Sequence, residues 1–218
     1  RQRQNLSPLT PIYTTEDAKN SLKFFVPVNY KKEIILSNTV SAQFFDAGHI
    51  LGSAHILLII NEGAETKRVV FSGDIGSENQ PYVEEPTAIE DSNIIIMEAT
   101  YGDKIHSGKI NKLEILTEII NMTYRKGGNI IVPAFAIERT QDLLFYLFQL
   151  QNDNKIPKLP IYIDSPPAIS ATDIFRKNTQ NFDKESTRLI NIGQNPLTAD
   201  NVYFSQTTED SIKLNTIN

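Results

Sequence analysis

Near residue 103 the hydrophobic period of the chain changes, and this change constrains the fold more than any single motif. Up to that point the pattern belongs to strands. Residues 34–36 and 40–45 read as strands, with Val40, Ala42 and Phe44 alternating imperfectly with Ser41, Gln43 and Phe45. Residues 54–60 and 67–71 read as two more, joined by the polar hairpin loop 61–66. Residues 94–97 are a short continuous apolar run, the pattern of a strand buried on both faces. Beyond residue 103 the period becomes helical. Ile110, Leu113, Leu116, Ile120 and Tyr124 share one helix face, and Gly127-Gly128 supplies a stop. A strand at 130–132, a helix over 138–151, a strand at 161–163 and a helix opening at Pro166-Pro167 follow. Buried strands alternating with helices predict a parallel α/β sheet.

The flanking segments are less patterned. Thr14 and Thr15 before Glu16 and Asp17 predict a helix start, with the helix ending before Pro27. Residues 80–91 are polar and hold Pro81 and Pro86, which predicts a surface loop. After residue 192 only 202–204 reads as a strand. The expected organisation is a strand-rich unit over 1–103 and a β-α-β-α unit over 104–218.

Composition narrows the function classes. A hydrophobic content of 40% supports a real core. The absence of cysteine excludes disulfides and thiolate metal sites and fits a cytosolic protein. No apolar run approaches the roughly 18 residues of a membrane span, so no membrane partner is expected. No signal peptide is visible. A net charge of −5 argues against a broadly basic surface that coats nucleic acid, while leaving room for a local basic groove.

The candidate chemistry lies at strand ends. His49 stands in Ala47-Gly48-His49-Ile50-Leu51-Gly52-Ser53-Ala54, and Asp74 in Phe71-Ser72-Gly73-Asp74-Ile75-Gly76. Imidazole and carboxylate are ligand types for zinc and similar divalent ions. Taken alone, His49 reads first as a cap of local backbone and second as a metal ligand, and Asp74 could make an ordinary Asx turn. A hairpin between them can bring both turns to one sheet edge. Glu98 ends the apolar run and needs solvent, a partner or a metal, because an unpaired buried carboxylate is costly. His55 reads as structural and His106 as a solvated loop residue. Ser165, at a strand-to-helix turn, reads first as an N-cap and second as a phosphate contact. Arg139 could pair with Asp142 or with phosphate. No Walker loop, dinucleotide fingerprint or serine nucleophile elbow is present.

Four segments then carry a specific resemblance. Asp46-Ala47-Gly48-His49-Ile50-Leu51-Gly52-Ser53-Ala54, Val70-Phe71-Ser72-Gly73-Asp74-Ile75-Gly76, Glu98-Ala99-Thr100-Tyr101-Gly102-Asp103 and Pro133-Ala134-Phe135-Ala136-Ile137-Glu138-Arg139-Thr140-Gln141 occur in that order. Together they resemble the metallo-β-lactamase-fold RNA-processing nucleases with a β-CASP domain, over about residues 13–176. The resemblance implies part of a metallo-β-lactamase αββα sandwich (1–103) followed by part of a β-CASP parallel α/β domain (104–218). It implies two divalent metal ions, zinc foremost, with His49 binding one and Asp74 bridging both. It implies catalytic roles for Asp74 and Glu98, Glu98 bonding a later histidine. Ser165 and Arg139 would contact single-stranded RNA. Homo-oligomerisation is left open, since exposed half-domain edges favour self-association.

The chain also departs from the family pattern. It has three histidines, no HxH motif, and none after His106. Truncation at both ends explains every absence at once, and predicts weak or absent metal binding and no hydrolysis by this chain alone. The rival expectations are a non-catalytic RNA-binding or scaffold homologue and a small-molecule hydrolase of the same superfamily. The helical region after Glu98 counts against the last.

Overall fold

A computed structural model describes residues 11–104 and 111–216. His106, Ile110 and the connection around them lie outside the described residues. The first helix, α1 (Thr15–Ser21), starts where acids and threonine predict it. Thr14 and Asp17 cap each other reciprocally, each side chain bonding the other's backbone amide. A 3-10 turn over Leu22–Phe24 continues it.

The strands of the first half form one five-stranded sheet in sequence order: β1 (Ile34–Ile35), β2 (Val40–Asp46), β3 (Ala54–Glu62), β4 (Glu65–Phe71) and β5 (Ile94–Ile96). β1 to β4 are antiparallel, and β5 joins β4 in parallel. The hairpin between β3 and β4 is tighter than the sequence suggests. Glu62 pairs with Glu65, leaving only Gly63 and Ala64 in the turn, with Gly63 at φ +64°.

The second half is helical around a two-stranded sheet. α2 (Lys112–Arg125) and α3 (Arg139–Asn152) pack through Ile120, Leu150 and Ile156. β6 (Ile161–Ile163) and β7 (Val202–Phe204) pair in parallel, with α4 (Pro166–Lys177) and α5 (Lys184–Asn191) in the crossover. α6 (Thr208–Leu214) ends the described chain. No helix among the described residues is long and apolar enough to cross a membrane.

Three expectations fail, each for a physical reason. Residues 94–97 are not buried on both faces: Ile94, Ile95 and Ile96 are about half exposed, because among the described residues β5 is an edge strand with β4 as its one neighbour. Residues 130–132 form no strand, since no described strand lies beside them, and Ile131 is 91% exposed. The segment 80–91 is not simply a surface loop. Pro81, Tyr82 and Val83 are buried, and Tyr82 is 0% exposed.

Tyr82 enters the core of the second half. Its ring meets Phe145 and Phe175 edge-on, at centroid distances of 5.5 and 5.8 Å, and Phe182 at 4.9 Å. Leu144, Ile163, Ala168 and Leu197 complete this cluster. The Tyr82 amide donates to Ser186 Oγ at 3.1 Å. Its backbone adopts φ +66°, unusual for a bulky residue, and burial of the ring offsets that strain.

Tyr82→Ala is expected to destabilise the fold by about 3–5 kcal/mol in chemical denaturation, the cost of emptying an aromatic core site. Tyr82→Phe is expected to stay within about 1 kcal/mol, because the buried hydroxyl has no hydrogen-bond partner among the described residues.

Candidate functional site

The turn between β2 and β3 is held closed by its own backbone and by Ser53. Gly48 N donates to Asp46 Oδ1 at 2.8 Å, and Ala47 N donates to Ser53 O at 3.2 Å. His49 N and Ile50 N both reach Ser53 Oγ, at 3.0 and 3.3 Å. Tyr30 Oη donates to Ser53 O at 2.8 Å, and burial pushes its phenol up to about 12. Gly48, at φ +61°, is needed for space as well as conformation: a Cβ would lie 2.6 Å from Glu84 O.

The second turn follows β4 and is docked onto the first. Gly76 N donates to Ala47 O at 2.9 Å. A Cβ on Gly76 would overlap the Gly48 carbonyl, so only glycine permits this approach. Ser72 N bonds Ile96 O at 2.9 Å, and buried His55 bonds Ser72 O through Nδ1, the structural role expected of it. The result is the juxtaposition the hairpin argument called for. His49 Nε2 lies 3.9 Å from Asp74 Oδ2, with both side chains open to solvent.

Glu98 finds its partner in the Asp74 turn. Oε1 accepts Ile75 N at 2.7 Å and Oε2 accepts Thr100 Oγ1 at 2.6 Å, while Glu98 N donates to Ser72 Oγ at 2.9 Å. The Ile75 amide, then the Thr100 hydroxyl, and to a lesser degree His49 hold its carboxyl below the usual range. Glu98 therefore stands as an ionised acceptor that braces the turn carrying Asp74.

α3 approaches from the other half. Glu138, 5% exposed, accepts Leu51 N on Oε2 at 3.1 Å. Gln80 Nε2 donates to His49 O at 3.0 Å. Burial, then neighbouring Asp142, carries Glu138 up to about 8, and burial carries Asp142 to about 6. Arg139 pairs with Asp142, one of the two partners open to it, Nη1 to Oδ2 at 3.7 Å. Ser165 caps α4, accepting Ala168 N at 3.4 Å. Glu138, Gln80, Ser53 and Ser72 escape sequence reasoning, because each acts on a backbone group far away in sequence or through an unremarkable hydroxyl.

His49 and Asp74 suit a divalent metal as a partial donor set. Two ligand atoms of one tetrahedral zinc lie about 3.3 Å apart, within a small side-chain rotation of the 3.9 Å found. A complete site is not formed: no group of three or more histidine, cysteine, aspartate or glutamate residues able to hold a metal occurs among the described residues.

Comparison with known proteins bears on this geometry. Residues 140–218 match the Beta-Casp domain. Ribonuclease TTHA0252 of Thermus thermophilus is 29% identical over 205 residues, 94% of this chain and 46% of the relative. An RNase J-like protein of Methanocaldococcus jannaschii is 31% identical over 170 residues, 77% of this chain and 39% of the relative. Endoribonuclease YSH1 of Saccharomyces cerevisiae is 25% identical over 205 residues, 91% of this chain and 26% of the relative. The chain thus spans less than half the length of each of these relatives.

Two outcomes follow from the geometry. Gly76→Ala is expected to lower the melting temperature and, in nuclear Overhauser measurements, to separate the two turns, since its methyl displaces the Gly48 peptide. Glu138 binds a proton in the fold that it would release at its ordinary 4.5 when unfolded. Its contribution to stability is therefore full below that value and falls as pH climbs through about 8. Denaturation series from pH 5 to 8 should show a shallower decline for Glu138→Gln than for the parent.

Proposed function

From the match of residues 140–218 to the Beta-Casp domain and the similarity to ribonucleases, we propose that this chain is part of a metal-dependent ribonuclease, of the metallo-β-lactamase fold with a β-CASP domain, that cleaves single-stranded RNA. The single observation that carries the reading is the His49–Asp74 pair, set 3.9 Å apart by a glycine contact between two strand-end turns. A metal pair at such a site, zinc foremost, supplies an activated water and charge neutralisation at a phosphodiester. His49 and Asp74 would be two of its ligands, and Glu98 would keep the Asp74 turn in place. The described residues do not complete the ligand set of such a metal. Residues 1–103 are the proposed metallo-β-lactamase portion and 104–218 the proposed β-CASP portion.

That incomplete set also supports a second reading, a non-catalytic RNA-binding homologue within a processing complex. The two readings separate on one experiment. In the full-length protein, Asp74→Ala is expected to abolish metal-dependent cleavage of single-stranded RNA, scored on a labelled oligonucleotide. Cleavage at the parent rate by the variant would remove Asp74 from the site. A parent protein that binds the oligonucleotide without cutting it would favour the second reading.

A further inference from the structure

The start of α3 combines three features that the ribonuclease reading leaves unused. First, Glu138 sits at φ +65° and ψ −60°, with Arg139 N bonded to Ile137 O at 2.8 Å. That is a tight γ-turn in its rare form, strained for a residue with a side chain. Second, the Glu138 side chain is buried, yet Oε1 has no hydrogen-bond partner among the described residues. Third, Oε2 accepts the amide of Leu51, 87 positions away in sequence and two residues past His49.

Local structure does not call for a carboxylic acid here. Glycine would take the γ-turn with little strain, and an apolar side chain would avoid burying an oxygen without a partner. Both costs are retained at one residue. What glutamate does that neither alternative can do is reach across to the turn of the other half and bond its backbone. Gln80 bonds the same turn as well, through the His49 carbonyl at 3.0 Å.

We propose that Glu138 is a positioning residue: it ties the start of α3 to the turn bearing His49 and so fixes where that imidazole stands opposite Asp74. Its consequence for rate rests on the ribonuclease reading; its consequence for geometry does not.

The test compares Glu138→Gly and Glu138→Gln in the full-length protein. Glycine removes the carboxyl and relieves the γ-turn together, so the melting temperature should hold or rise. Amide exchange at Leu51 should nevertheless quicken at least tenfold, and the His49 ring resonances of histidine-labelled protein should move. On RNA, kcat should drop about 10–100-fold with KM unchanged, the scale seen when a supporting partner of a metal ligand is lost. Glu138→Gln keeps an acceptor oxygen and should restore Leu51 protection, the His49 resonances and kcat. Unchanged Leu51 exchange and unmoved His49 resonances in Glu138→Gly would overturn the proposal. So would a melting temperature that falls in step with the exchange, since that marks a purely structural role. If the parent does not cleave RNA, the ribonuclease reading fails, while exchange and ring resonances still decide the role of Glu138.

Discussion

The ring of Tyr82 inside the Phe145–Phe175–Phe182 cluster is the contact on which the arrangement of the two halves depends. The strand-rich half contributes its loop to the core of the helical half, and the ring is fully buried there. An aromatic side chain gains several kcal/mol from such burial. That is enough to hold a loop whose backbone carries positive φ at both Asn79 and Tyr82. The same loop then runs back past the candidate site. Gln80 bonds the His49 carbonyl, Glu84 and Pro86 close over Gly48, and Thr87 N returns to Asp46 O at 2.8 Å. One anchored ring thereby fixes a strap across the histidine-bearing turn.

The site itself is built by exclusion of volume rather than by attraction between its functional groups. His49 and Asp74 are solvent-facing, and a pair so exposed gains little from its mutual charge. They meet because Gly76 can press against the Gly48 peptide, and because Glu98 and Ser72 pin the second turn from behind. The chemistry-bearing side chains are left free on their solvent side, while their backbones are held by neutral and charge-assisted hydrogen bonds. Such a division leaves both side chains reachable from solution, with little desolvation to undergo, on carriers that are already ordered.

Sequence alone exposes the parts of this plan that depend on local rules. The Thr14–Asp17 cap, the hairpin from β3 to β4 and the Ser165 cap of α4 follow from short-range patterns, while the parallel pairing of β6 follows from the longer alternation of strands and helices. The His49–Asp74 meeting was legible too, because a hairpin returns both strand ends to one edge. Tyr82 was hidden by its company: prolines and acids around it read as solvent-exposed, and nothing local says that one tyrosine is buried elsewhere. Residues 94–96 and 130–132 misled for the opposite reason. Their composition records what a strand could bury, whereas burial requires neighbours that the described residues do not supply. α6 has a capping signal in Thr207 and Asp210, whose reciprocal bonds start it, but too short an apolar stripe to stand out.

Strain is unevenly placed in this fold, and its placement is informative. Non-glycine residues with positive φ include Tyr82 and Glu138, and these two are buried at the seam between the halves. Each sends a side chain or a backbone group across that seam, Tyr82 into the aromatic cluster and Glu138 to the Leu51 amide. A strained conformation persists only where surrounding contacts over-determine it. The seam is therefore specified by a few demanding contacts rather than by a broad sliding surface. Small shifts of one half against the other would lose an aromatic socket or a buried hydrogen bond outright, so the His49 turn sits at a position where relative placement of the halves is felt directly.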